Sequence, residues 1–125
     1  MENLIIKKTK YTPQIELDAQ NRTMLMVGKS YPENTFEFYN PVMKWLDAYF
    51  DENAKEKTTI NLEIIYFNSS SSKLFFDLFD LFEEKSEEHT IEINWIYDEE
   101  NESALETGED FQEDFEDLTI NLVSK

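Results

Sequence analysis

Between Thr58 and Asp98 the apolar residues change period twice, and that change constrains the fold more than any other feature of the chain. In TTINLEIIYFN, residues 58–68, Ile60, Leu62 and Ile64 alternate with Asn61 and Glu63, and the run then stays apolar to Phe67. A β-branched and aromatic run of this kind reads as an interior strand. In KLFFDLFDLFEEKSEE, Leu74, Leu78 and Leu81 form one stripe. Phe75, Phe79 and Phe82 form a second beside it, and together they cover about 160° of a helical wheel. Asp77, Asp80, Glu83 and Glu84 face away, and Phe76 projects about 60° beyond the apolar arc. TIEINWIYD, residues 90–98, returns to period two through Ile91, Ile93, Trp95 and Tyr97. A right-handed crossover then lays the helix on the sheet by its leucine and phenylalanine face.

The flanking segments extend this pattern. Residues 3–7, 13–18 and 22–28 are short candidate strands, and Asp18, Gln20 and Asn21 supply a hairpin turn between the last two. Residues 29–53 open with turn residues and become an amphipathic helix with Phe36, Tyr39, Val42, Met43, Leu46, Tyr49 and Phe50 on one side. Either Asn34 or Thr35 caps a helix that bends at Pro41, or Asn40 caps one that begins there. The longer version is preferred because Phe36 and Tyr39 fit the same face. Residues 99–116 are acidic, with Phe111 and Phe115 spaced for a helix and Gly108 weakening it. Residues 117–123 alternate as a last strand. The order β-β-β-α-β-α-β-α-β predicts one α/β domain over residues 1–125. An N-terminal antiparallel hairpin leads into a mostly parallel, mixed sheet covered by about three helices.

Composition removes several function classes. The 125 residues include no cysteine, so there is no thiolate nucleophile, disulfide or thiolate metal site. Two glycines, Gly28 and Gly108, leave no glycine-rich phosphate loop. The single histidine, His89, sits at a helix end, where a dipole and turn role accounts for it. Glu99, Glu100, Glu102, Glu109 and Asp110 lack the spacing and glycine of a calcium loop, and no metal or other cofactor is expected. The net charge of −17, with no Lys or Arg between Ser86 and Ser124, disfavours nucleic acid and anionic membranes as partners. The N-terminal MENLIIKKTKYTP lacks an apolar signal core of roughly 7–15 residues, and no run reaches the roughly 18 apolar residues of a membrane span. A soluble, cytoplasmic protein is the expectation.

Four serines, Ser69 to Ser72, lie between the interior strand and the strong helix. Asn68 or a serine suits the helix cap. Loops at the carboxyl ends of strands are common ligand sites, and a helix N-terminus favours an added phosphoryl group. The position therefore suits either a plain capped turn or a phosphorylation switch that expels a docked partner. An acidic metal-dependent enzyme and an acidic nucleic-acid mimic are alternatives of other classes.

SYPEN (30–34), YFNSSS (66–71) with Lys73, and WIYDEENE (95–102) together resemble the SiaC family of bacterial regulatory phosphoproteins. The resemblance implies a STAS-type, anti-anti-sigma-factor-like domain that is not an enzyme. It implies reversible phosphorylation by a GHKL-type serine/threonine kinase and removal of the phosphate by a metal-dependent phosphatase. The unphosphorylated form would bind and activate a diguanylate cyclase in cyclic-di-GMP signalling. The acceptor falls at Ser69, with Ser70, Ser71 and Ser72 as competing hydroxyls. Tyr31, Pro32, Glu33 and Asn34 are expected beside it, together with Asn68, Ser70, Ser71 and Lys73. Asp98 and Asn101 are expected on the same face, and Phe76 is the candidate apolar contact.

Overall fold

Each strand of the sheet pairs only with the strand before it and the strand after it in the chain. The computed structural model describes residues 1–52 and 56–125. Its strands are β1 (Leu4–Ile6), β2 (Gln14–Asp18), β3 (Thr23–Ser30), β4 (Thr58–Phe67), β5 (Ile91–Tyr97) and β6 (Thr119–Ser124), in that order across one sheet. Its helices are α1 (Thr35–Glu52), α2 (Ser69–Lys85) and α3 (Glu102–Asp114). The pairs β1–β2 and β2–β3 are antiparallel, and β3 to β6 run parallel. The three crossovers from β3 to β6 step in one direction across the sheet, and the right-handed rule for such units puts all three helices on the same face.

Burial follows from that. Ile60, Leu62 and Ile64 of β4, Ile93 and Trp95 of β5 and Ile120 of β6 point into the helical layer and are buried. Phe75, Leu78, Phe79 and Phe82 of α2 and Tyr39, Val42, Leu46, Tyr49 and Phe50 of α1 close on them. The opposite face is open. There Asn61, Asn94 and Asn121 stand in register on β4, β5 and β6. Asn121 Nδ2 donates to Asn94 Oδ1 at 3.0 Å, and Asn94 Nδ2 donates to Asn61 Oδ1 at 3.0 Å.

The longer form of α1 is the one that forms, but Phe36 is exposed and does not join Tyr39 on the buried face. Asn34 Oδ1 accepts from Glu37 N at 3.0 Å, and Pro41 lies inside the helix. Asn53, the end of the predicted helical stretch, falls outside the described residues. The hairpin turn is held as its composition predicts. Asp18 Oδ1 accepts from Gln20 N and Asn21 N, and Arg22 takes the left-handed conformation with φ 55°.

Two further expectations need correction. Gly108 does not weaken α3; it lets α3 approach the sheet. A Cβ at that position would stand 2.6 Å from Trp95 Cδ1 and 2.7 Å from Leu122 Cδ2. Trp95 Nε1 donates to Ala104 O at 2.9 Å, tying the same helix to β5. The second correction concerns the end of β4. The apolar run to Phe67 is not buried throughout, because Ile65 and Tyr66 are both exposed. The register with β3 shifts between Gly28 and Lys29, so that Gly28 faces Ile64 and Lys29 faces Tyr66. The unmatched Ile65 breaks the alternation and turns Tyr66 outward, as a β-bulge does.

Candidate functional site

The turn that ends β4 and begins α2 is built around one asparagine. Asn68 is extended, with φ −86° and ψ 178°, and its Oδ1 accepts from Ser71 N at 2.9 Å. Ser72 N donates to Asn68 O at 2.9 Å, closing the first helical turn. Asn68 is therefore the N-cap, and its side chain satisfies a donor that would otherwise be unpaired. Its own N–H donates to Ser30 O at 3.1 Å, which joins the turn to the end of β3.

The four serines point in different directions because successive helical residues are about 100° apart. Ser69 and Ser70 are exposed, and Ser72 is half-buried. Ser71 is 0% exposed, and its hydroxyl hydrogen-bonds that of Ser30 at 2.9 Å. Ser71 is thus removed from the set of competing surface hydroxyls and from the recognition surface. The sequence held the signal for this: Ser71 lies four residues before Phe75, inside the apolar arc of α2. Ser30 Oγ also hydrogen-bonds Tyr39 OH at 2.6 Å. The three hydroxyls, from β3, α1 and α2, are all essentially inaccessible to solvent. Burial pushes the Tyr39 phenol up to about 12, and its bond to Ser30 acts weakly in the opposite direction. Tyr39 therefore stays protonated at any physiological pH.

The end of the SYPEN segment faces the first turn of α2. Glu33, Asn34, Thr35 and Phe36 line one wall of a cleft of about 430 Å³, and Ser70, Lys73, Leu74 and Asp77 line the other. A smaller hollow of about 220 Å³ continues it between α1 and α2, past Phe36, Asn40, Met43 and Leu74. Tyr31 stacks edge-on against Tyr66 at 5.7 Å and against Tyr11 at 5.3 Å, and its N–H donates to Tyr11 O at 2.8 Å. Tyr11 and Tyr66 are exposed, so an aromatic ridge rises beside the serine turn. Sequence reasoning missed Tyr11 and Tyr66 because the bulge that turns Tyr66 outward leaves no mark in the apolar pattern. Pro32, half-buried, joins the ridge to the cleft.

The remaining predicted residues lie elsewhere. Asp98 and Asn101 line a second cleft of about 320 Å³ with Glu63, Ile65, Ile96, Tyr97 and Lys125. No residue of the SYPEN segment or the serine turn lines it. Asn101 caps α3 through Ala104 N at 3.1 Å and donates to Ile65 O at 3.4 Å. Lys125 Nζ pairs with Glu63 at 2.7 Å. Phe76 turns toward α3, with its ring 5.7 Å from Phe111 and 5.6 Å from Phe115. It is half-exposed and lies on a different side of α2 from the cleft wall.

The first turns of α1 and α3 carry Glu37 and Glu102, whereas the first turn of α2 has no acidic residue to offset its partial positive charge. Lys73 is exposed one turn further on, and the carboxylates of Glu33 and Asp77 line the same cleft. Among the described residues no group of three His, Asp or Glu side chains is placed to hold a metal ion. No described helix is long and apolar enough to cross a membrane.

Comparison with known proteins gives one consistent result. The family model for the SiaC family regulatory phosphoprotein matches residues 6–125. A protein of Pseudomonas aeruginosa (strain UCBPP-PA14) is 35% identical over 115 residues, covering 91% of this chain and 90% of the relative. The crystal structure of the diguanylate cyclase SiaD in complex with its activator SiaC, from Pseudomonas aeruginosa, contains a chain with 32% identity. That chain matches with a TM-score of 0.91 over 98% of this chain and 99% of that one. Apo-SiaC of the same organism matches with 31% identity, a TM-score of 0.91 and the same coverage.

Proposed function

The chain belongs to the SiaC family of regulatory phosphoproteins, and we propose that it is a cytoplasmic phosphorylation switch with Ser69 as acceptor. In its unphosphorylated form it binds and activates a diguanylate cyclase. A GHKL-type serine/threonine kinase sets the switch, and a metal-dependent phosphatase resets it. The chain is not itself the catalyst.

The acceptor assignment rests on the match of YFNSSS to the family, and it is supported by the exposure of Ser69, shared with Ser70, at the start of a helix whose first turn lacks acidic residues. A phosphoryl group there adds about −1.5 to −2 charges, and the helix N-terminus stabilises it. The same charge disrupts a partner docked over the turn, because the phosphate would have to be desolvated in the interface. Tyr31, Pro32, Glu33, Asn34, Asn68, Ser70 and Lys73 form the recognition surface around it. The likeness to a SiaC chain solved in complex with SiaD supports a cyclase as the partner.

The test uses the purified chain, a GHKL-type kinase and Mg-ATP. Intact mass should show one added phosphoryl group, lost in Ser69→Ala. Calorimetry should show the unphosphorylated chain binding the cyclase, with binding weakened at least ~10-fold by the phosphate, or by ≥1.4 kcal/mol. Undiminished phosphorylation of Ser69→Ala would falsify the acceptor assignment, and equal affinities of the two forms would remove the switch.

A further inference from the structure

The two edges of the sheet are built differently. The β1 edge is 3 residues long and is followed at once by Lys7 and Lys8. Short length and lysine both protect an edge from stray strand pairing. The β6 edge has neither protection. It runs for 6 residues, Thr119–Ser124, without a charge or a proline, and its register with β5 is unbroken.

The main chain of β6 shows what this edge offers. Lys125 N donates to Tyr97 O at 2.9 Å. Alternation along a parallel strand then turns the main chain of Thr119, Asn121 and Val123 to β5, and that of Ile120, Leu122 and Ser124 outward. Gln112 Nε2 donates to Ile120 O at 2.7 Å and closes one outward position. Among the described residues nothing pairs with the main chain of Leu122 or Ser124. The asparagine ladder ends at the same edge. Asn121 Nδ2 donates to Asn94, while Asn121 Oδ1 has no donor among the described residues. Val123, two residues on and on the same open face, is exposed.

Charge decides what fits there. The bond from Gln112 sets α3 beside the edge, and every charged residue of α3 is acidic. Glu109, one turn before Gln112, and Glu113, next to it, are exposed, and Glu116 and Asp117 lead into β6. Two copies of the chain meeting at this edge would oppose these carboxylates, with a net charge of −17 on each. A strand that carries lysine or arginine meets the opposite sign. Its main chain pairs with Leu122 and Ser124, and an amide side chain opposite Asn121 extends the ladder.

We propose that β6 is a docking edge that takes an extended, basic segment of a partner protein as an added strand. Strand β5 separates this edge from β4, which leads into the serine turn. The proposal therefore does not rest on the reading of Ser69.

The experiment titrates the isotope-labelled chain with a short synthetic peptide and follows its amides by NMR. The peptide has asparagine at its centre, valine and then threonine on either side, and lysine at each end. The Leu122 and Ser124 amides should shift saturably, and the affinity should fall as salt is raised. Val123→Lys changes an exposed position and should weaken the peptide about threefold through like charges beside the added strand. A peptide of the same charge with proline in place of valine cannot complete the ladder and should leave both amides unshifted. If the proline peptide shifts them equally, the attraction is charge alone and the proposal is overturned. No shift at Leu122 and Ser124 overturns it as well. So does sedimentation of the free chain as a dimer that Val123→Lys dissolves, because a second copy then occupies the edge.

Discussion

Gly108 of α3 faces the indole of Trp95 so closely that a single methyl group would stand 2.6 Å from Cδ1 and 3.0 Å from Nε1. Gly108→Ala gains helix propensity of roughly 0.5–1 kcal/mol but forces α3 off β5. Over-packing of this kind costs about 1–3 kcal/mol. The expected outcome is net destabilisation by about 1–2 kcal/mol, read as a lower urea midpoint with an unchanged slope.

Tyr39→Phe isolates the phenol of the buried hydroxyl cluster. At neutral pH it should cost about 1 kcal/mol for one lost hydrogen bond. In alkali the comparison reverses. An unfolded tyrosine ionises near pH 10, whereas folded Tyr39 holds its proton to about 12. Wild-type stability should therefore be fully present below pH 10 and fall as pH rises through 12. The loss attributable to Tyr39 is on the order of 2 kcal/mol. Chemical denaturation at pH 9 and pH 11 should show a smaller fall for the phenylalanine variant.

Asn68→Ala removes the α2 cap. The loss should be about 1 kcal/mol, or roughly 4 °C in melting temperature for a chain of this size. Asn68→Asp should retain most of the stability, because its carboxylate accepts from Ser71 N in the same place.

Phe76→Ala tests a residue that the helical wheel left outside the apolar arc. Its ring contacts Phe111 and Phe115, and 42% of the residue is exposed. Truncation should cost about 1–2 kcal/mol, less than the 3–5 of a fully buried phenylalanine. Because Phe76 does not line the cleft beside Ser69, cyclase affinity should stay within about twofold, a change of under ~0.5 kcal/mol.

The elements legible in the sequence are those whose apolar period is unbroken. The wheel through Leu74, Phe75, Leu78 and Phe82 located α2, and the alternation at Ile91, Ile93 and Trp95 located β5. Asn34 and Asn68 were among the cap candidates, with Thr35, Asn40 and the serines, because such side chains solve a local problem of unpaired backbone donors. What escaped the sequence depended on a partner distant along the chain. The fit of Gly108 against Trp95, the bulge at Ile65 and the aromatic edge contacts of Tyr66 exist only once β3, β4, β5 and α3 are assembled. Ser71 is the intermediate case. Its inward direction follows from the wheel, but its hydroxyl partner on Ser30, 41 positions earlier, does not.

The order of strands across the sheet is the order in which the ribosome makes them. No strand has to thread between two others already paired, so the sheet can lengthen at one growing edge during synthesis. Ser30, Tyr39 and Ser71 all emerge before β5, α3 and β6. The turn that carries Ser69 can therefore be set while the acidic last third of the chain is still being made. The strands left to add, β5 and β6, extend the sheet from the β4 edge.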